Sequence, residues 1–328
     1  RGPTRIRVVV GEKPKDLKKG TWRLDRGANR VAHDRMHEAL STFHSSEGEG
    51  GTVLRDLLLG SLHDMATSAA RPPEIHGQKR RGPLGLDKMQ LNTSQRKAVD
   101  SAIERRLSLI QGPPGTGKTH TAVHLLSAFV KLGRGPVLAT AESNVAVDNL
   151  LEGLLELGVK AVRIGRPVKV REHLRQATLD AQIEHHPMQE ELRYIREQND
   201  ELRRNLQGLK GKDKGMAHRD VNRNFKEMRA IEAGMISAVL DEAEVICATT
   251  IGVGHKLLKN RRFPVVLMDE ATQASEPSAL VPITRGCRQL VLVGDHMQLP
   301  PTVISEAAQI GGLGQSLFER LTECGVDT

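Results

Sequence analysis

The sequence predicts an α/β fold, a parallel sheet with helices on both faces, and three observations lead to it. Short apolar runs such as Leu107–Gln111, Val265–Met268 and Leu290–Val293 alternate with longer helical stretches, the signature of strand–helix crossover units. Most of these runs are apolar at successive positions, as strands buried on both faces must be. A Gly-rich stretch, Gly112–Thr119, joins one such strand to a helix.

The chain's 328 residues suffice for about two domains or one with large insertions, and 38% apolar content is ordinary for a globular protein. A formal net charge of +8 suits a polyanionic partner or simply a solvated basic surface. One Trp, one Tyr and five Phe are too few for a row of stacking rings. A single strand held here would be held by its backbone. Cys247, Cys287 and Cys324 lack metal-ligand spacing, so no zinc and reduced thiols in an intracellular setting, cytoplasmic or nuclear, are expected. No apolar run is long enough to cross a membrane and no signal peptide opens the chain. The sequence opens on Arg1 and stops just after an apparent helix, Gly314–Leu321, as expected for a stretch of something longer.

In chain order, Ile6–Val10 reads as a strand, Gly11–Gly20 as turns and Asn29–Phe43 as an amphipathic helix. Ser45–Gly51 is a polar break, Val53–Met65 a short apolar helix, and Arg71–Leu86 a linker with three prolines. The main domain begins at Leu91. A cap-like Asn92-Thr93-Ser94 precedes a helix over Gln95–Arg106, followed by the strand Leu107–Gln111 and a helix over Thr119–Leu132. Pro136–Ala141 and Ala161–Ile164 read as strands flanking a helix over Asn144–Leu157. Between about Leu179 and Asp241 the sequence is charged and helical. Leu192, Ile195, Leu202, Leu206 and Leu209 form one apolar stripe, with Asn199 in its missing slot. Val221, Phe225, Met228, Ile231 and Met235 form another beyond a polar turn at Lys210–His218. Two such stripes make an antiparallel helical hairpin. Strands resume at Val245–Ala248, Val265–Met268 and Leu290–Val293.

Gly112, Pro113, Pro114, Gly115, Thr116, Gly117, Lys118 and Thr119 fit the phosphate-binding loop pattern at every fixed position. The glycines let backbone N–H groups face the phosphates of a nucleotide, and the following helix adds its positive end. Lys118 would meet the terminal phosphates and the Thr119 hydroxyl would meet Mg²⁺. Asp269-Glu270 ends an apolar strand, so Asp269 is expected to hold the metal and Glu270 to act as general base on the attacking water. Gly294–Pro301 follows another strand. Gln298 there is expected to donate an amide hydrogen bond to the γ-phosphate and so register hydrolysis, although a Pro-terminated turn accounts for the segment equally simply.

Taken together, these segments resemble superfamily-1B helicases of the up-frameshift type, most closely the immunoglobulin-mu-binding group, over nearly the whole chain. Leu91–Gln95 with Ala98-Val99 resembles the family's Q motif, which implies that Gln95 reads adenine. Ser143–Asn149 resembles motif Ia and Ala248-Thr249-Thr250 motif Ic, which implies nucleic-acid backbone contacts by Ser143, Asn144, Thr249 and Thr250. Asp269–Gln273 is similar to the family's Walker B box and Gly294–Pro301 to its motif III. Glu142 departs from the family, standing where proline usually precedes Ser-Asn, and is expected to weaken phosphate contact.

The resemblance implies a RecA-like P-loop NTPase divided as follows: residues 1–25 end an accessory β-barrel, 26–90 form stalk helices and a linker, and 91–178 and 244–328 form the RecA-like domain. Residues 179–243 are the helical-hairpin insertion, which in this family leans over the nucleic-acid channel. The implied activity is ATP- and Mg²⁺-dependent 5′ to 3′ movement on single-stranded RNA or DNA. It needs a second RecA-like domain bearing arginine fingers, expected beyond Thr328, and turnover without it is expected to be slow. A nucleotide-dependent binding or remodelling module that separates no strands is the alternative.

Overall fold

The computed structural model describes residues 30–45, 52–60, 67, 69, 90–165, 169–206, 208 and 210–328. The expected strand at Ile6–Val10, the barrel remnant over 1–25 and the linker Arg71–Leu86 lie outside them.

Among the described residues six strands form one sheet: β1 (Leu107–Gln111), β2 (Val137–Ala141), β3 (Ala161–Ile164), β4 (Val245–Thr249), β5 (Val265–Asp269) and β6 (Gln289–Gly294). Their spatial order is β1-β6-β5-β2-β4-β3, and every pair is parallel. All six C-terminal ends therefore lie along one edge, where open sheets of this kind bind ligands. Successive side chains alternate between the faces. Leu138, Ile246, Val266, Met268, Leu290 and Leu292 enter one core. Val137, Ala139, Val245, Cys247, Val265, Leu267, Val291 and Val293 enter the other.

Helices cover both faces. The helix Thr93–Glu104 starts on a capping box in which Asn92 Oδ1 accepts from the Gln95 N–H at 2.9 Å and the Asn92 N–H donates to Gln95 Oε1 at 3.0 Å. With Lys118–Lys131 and Asn144–Glu156 it packs on the second core. Glu276–Ile283, Leu317–Glu323, Val31–Ser45 and Thr52–Leu59 contribute to the first. Polar contacts also tie the last two of these helices to the elements around the sheet. Arg35 Nη1 donates to the Ile251 carbonyl at 2.7 Å and Arg320 Nη2 to the Leu58 carbonyl at 2.7 Å.

The insertion between β3 and β4 is the short helix Leu179–Glu184 followed by a hairpin, Gln189–Asn205 against Gly211–Glu242. Leu192, Ile195, Ile231 and Met235 form its own small core. Two expectations are corrected here. The stretch Lys210–His218 is helical from Gly211 onward, because its polarity reflects exposure, its Lys, Met and Ala residues favour helix, and Asp213 sits in the first turn. Phe225 is 42% exposed beneath the Arg229 guanidinium, and Asn224 takes the buried position beside it.

Candidate nucleotide and nucleic-acid site

The phosphate loop leaves β1 at Gln111 and enters the helix Lys118–Lys131 through Gly117, whose φ of 79° and ψ of 33° lie in the left-handed region. A Cβ at Gly117 would also stand 2.7 Å from Gln95 Nε2. The loop braces itself, since Thr116 Oγ1 donates to the Pro113 carbonyl at 2.8 Å. Gln95 Nε2 donates to the Thr116 carbonyl at 3.0 Å. Gln95 thus ties the helix cap to the loop, a role its place three residues after Asn92 signals in the sequence.

Lys118 Nζ donates to the Gly112 carbonyl at 2.7 Å and the Pro113 carbonyl at 3.3 Å. Thr119 Oγ1 donates to Asp269 Oδ2 at 2.8 Å, across 150 residues of chain. Asp269 is fully buried at the tip of β5. Burial first, and then the Glu270 charge, push its carboxyl up to about 6. The Thr119 hydroxyl, the Glu270 N–H and Lys118 pull against that rise. Glu270 has a φ of 50° and ψ of 41°, the one non-glycine with positive φ among the described residues. Its N–H donates to Asp269 Oδ1 at 3.0 Å, and Gln273 Nε2 reaches Glu270 Oε2 at 3.4 Å.

From β6, Asp295 closes the other side. The Gln298 amide, the Met297 N–H and the Lys118 and His296 charges hold its carboxyl below the usual range, against some rise from burial. Sequence reasoning gave Asp295 no role of its own within Gly294–Pro301; its carboxylate and that of Asp269 both feel the Lys118 charge. Gln298 Nε2 donates to Asp295 Oδ2 at 2.7 Å. One of its two N–H groups is therefore engaged inside its own loop, and only the other is free for a γ-phosphate.

The donor set fits a nucleotide with a hard divalent cation: a hydroxyl and a buried carboxylate in contact, and an ammonium held over the loop carbonyls. The raised Asp269 value makes a stability prediction. Its folded value lies above the ordinary 3.8, so ionisation costs the ligand-free chain stability as pH rises from about 4 through about 6. That cost reaches roughly 3 kcal/mol at neutral pH. Asp269→Asn should raise the melting temperature at neutral pH by an amount reduced by one impaired hydrogen bond, about 1 kcal/mol. Below pH ~4 the gain should vanish, and a shift independent of pH would count against the assignment.

Farther along the same edge, the ends of β2 and β4 carry the residues expected to touch a strand. Ser143 Oγ accepts from the Ala146 N–H at 3.1 Å as the helix N-cap. Asn144 Oδ1 accepts from Arg163 Nη2 at 2.9 Å, and Thr249 Oγ1 accepts from the Gly252 N–H at 3.1 Å. Each thus spends acceptor capacity internally and keeps a donor in hand. Thr250 differs from expectation. It is fully buried and its hydroxyl donates to Glu142 Oε2, which Ser278 Oγ also approaches at 2.9 Å. Glu142 is accordingly held by two hydroxyls, and joins the loops after β2 and β4 to the helix Glu276–Ile283. Behind Asn144 lies a pair that sequence reasoning missed, Arg163 and Asp148 at 3.1 Å, 1% and 3% exposed in their side chains.

Comparison with known proteins bears on these same residues. A family described as an AAA domain matches residues 90–306. The regulator of nonsense transcripts 1 homolog of Arabidopsis thaliana is 37% identical over 296 residues, 90% of this chain and 22% of that protein. ATP-dependent helicase NAM7 of Saccharomyces cerevisiae is 38% identical over 296 residues, 90% of this chain and 28% of the other. DNA-binding protein SMUBP-2 of Mus musculus is 35% identical over 312 residues, 93% of this chain and 30% of the other. The chain thus spans less than a third of each of these relatives. Among the described residues, no helix is long and apolar enough to cross a membrane.

Proposed function

The chain belongs to this AAA-domain family, in its Upf1-like superfamily 1B helicase branch, and from that premise we propose that it is the ATP-binding half of a motor that moves on single-stranded RNA or DNA. One observation carries the reading. A single sheet edge carries a phosphate loop after β1, an acidic pair at the end of β5, and, after the neighbouring β2 and β4, hydroxyl and amide groups whose acceptor atoms are already engaged inside the protein. A sugar–phosphate backbone offers mainly acceptors, so donors without base-reading geometry suit either nucleic acid.

In this reading the loop N–H groups and Lys118 bind the nucleotide phosphates, and Gln95 orients the base. Thr119 and Asp269 would hold magnesium, which would supply positive charge against the phosphates. Glu270 takes a proton from the attacking water, its aim fixed by the left-handed backbone and by Gln273. The free N–H of Gln298 senses the terminal phosphate. Through its bond to Asp295, loss of that phosphate changes the loop after β6.

ATP hydrolysis should rise severalfold or more on adding single-stranded RNA or DNA, measured by phosphate release with and without strand. A rate indifferent to both polymers would sink the proposal. Displacement of a strand from a duplex with a 5′ overhang separates a helicase from a remodelling module.

A further inference from the structure

We propose that Arg163 is a positioning residue for strand binding: it holds the Asn144 carbonyl and thereby turns the amide nitrogen toward the phosphates. The inference rests on the reading of this edge as the strand site and adds what sets its polarity.

Arg163 belongs to β3, the last strand of the sheet, and is 1% exposed. Its guanidinium is committed in three directions. Nε donates to Asp148 Oδ1 at 3.1 Å, Nη1 to the Ile164 carbonyl at 2.6 Å and Nη2 to Asn144 Oδ1 at 2.9 Å. Asp148 Oδ2 in turn accepts from the Arg171 N–H at 3.2 Å. Apolar residues of similar volume often replace such a pair with no loss of stability. What they could not do is orient an amide.

An asparagine side chain has nearly the same shape either way round, with an acceptor at one tip and two donors at the other. A guanidinium has only donors. Facing Arg163, the amide must present its oxygen inward and its nitrogen outward, and Nδ2 has no hydrogen-bond partner among the described residues. Phosphodiester oxygens only accept, so this orientation makes Asn144 attract a strand where the flipped one would repel it. Ser143 and Thr249 follow the same rule, with backbone N–H groups in the place of Arg163.

The test uses labelled oligouridylate and oligothymidylate in anisotropy titrations of the whole chain, with nucleotide affinity and melting temperature as folding controls. Asn144→Asp preserves the contact with Arg163 but replaces the outward donor by an acceptor. It should weaken strand binding at least about tenfold, and more than Asn144→Ala does, without a matching loss of nucleotide affinity. Arg163→Lys keeps a charge for Asp148 but loses the fork. It should weaken strand binding when Asn144 is present and have little further effect beside Asn144→Ala. Equal losses in both backgrounds, or Asn144→Asp binding no weaker than Asn144→Ala, would overturn the proposal. If Arg163→Lys does not fold, the comparison of the two Asn144 variants decides alone. Failure of the unsubstituted chain to bind either strand would instead overturn the strand-site reading, and this inference with it.

Discussion

Glu270→Gln should lower the strand-stimulated rate of ATP hydrolysis by about 10²–10⁴-fold, the usual worth of a positioned general base, while leaving nucleotide binding largely intact. The amide keeps the size of the carboxylate and its contact with Gln273, but cannot accept the water's proton at neutral pH. Lys118→Ala should also stop turnover, by a different route. It removes the one side-chain cation that bears on both Asp269 and Asp295, so nucleotide affinity should fall with it. Phosphate release at saturating nucleotide, read beside equilibrium binding of a nucleotide analogue, tells the two defects apart. Normal turnover in either variant would remove the catalytic assignment.

The largest effect on stability should come from Asp148. Its carboxylate faces Arg163 at 3.1 Å in a site closed to solvent. Asp148→Leu strands a guanidinium there and should cost about 3–5 kcal/mol, a large share of the ~5–15 kcal/mol by which domains are stable. Combining Asp148→Leu with Arg163→Met should recover most of that loss, because the buried pair gains little over an apolar one. Urea unfolding of the single and double variants measures both quantities. A single variant within ~1 kcal/mol of the unsubstituted chain would show that water reaches the pair. The recovered double variant should still bind single strands poorly, which sets the orienting role apart from the structural one.

Much of this was legible in the sequence because it follows local rules. Apolar runs gave the strand positions, with β1 and β3 falling on the expected residues and the other four within a residue or so at either end. The phosphate loop was legible because its spacing is a chemical requirement, and Asp269-Glu270 because it ends a strand. What escaped notice depends on neighbours distant in the chain. A threonine at a strand end looks the same whether it faces solvent, as half-exposed Thr249 does in part, or a buried carboxylate, as Thr250 does. Arg163 looks like an exposed position in a short strand, since nothing local marks Asp148 as its partner. Asn224 is buried among the hairpin's apolar residues where helical periodicity points to Phe225, whereas Asn199 fills the slot expected of it.

The placement of β1 also bears on how the protein is made. β1 closes the sheet at its end and pairs with β6 alone, Leu107 beside Leu290. During synthesis the phosphate loop leaves the ribosome long before the strand that braces it, and the Gly112 N–H waits for the Gly294 carbonyl. Pairings so far apart in sequence are slow to form. β2, β4 and β5 can assemble first, with the inserted hairpin folding on itself meanwhile. A nascent chain should therefore gain the capacity to hold nucleotide only after β6 has emerged and β1 has paired with it, so that nucleotide capture reports that this pairing is made.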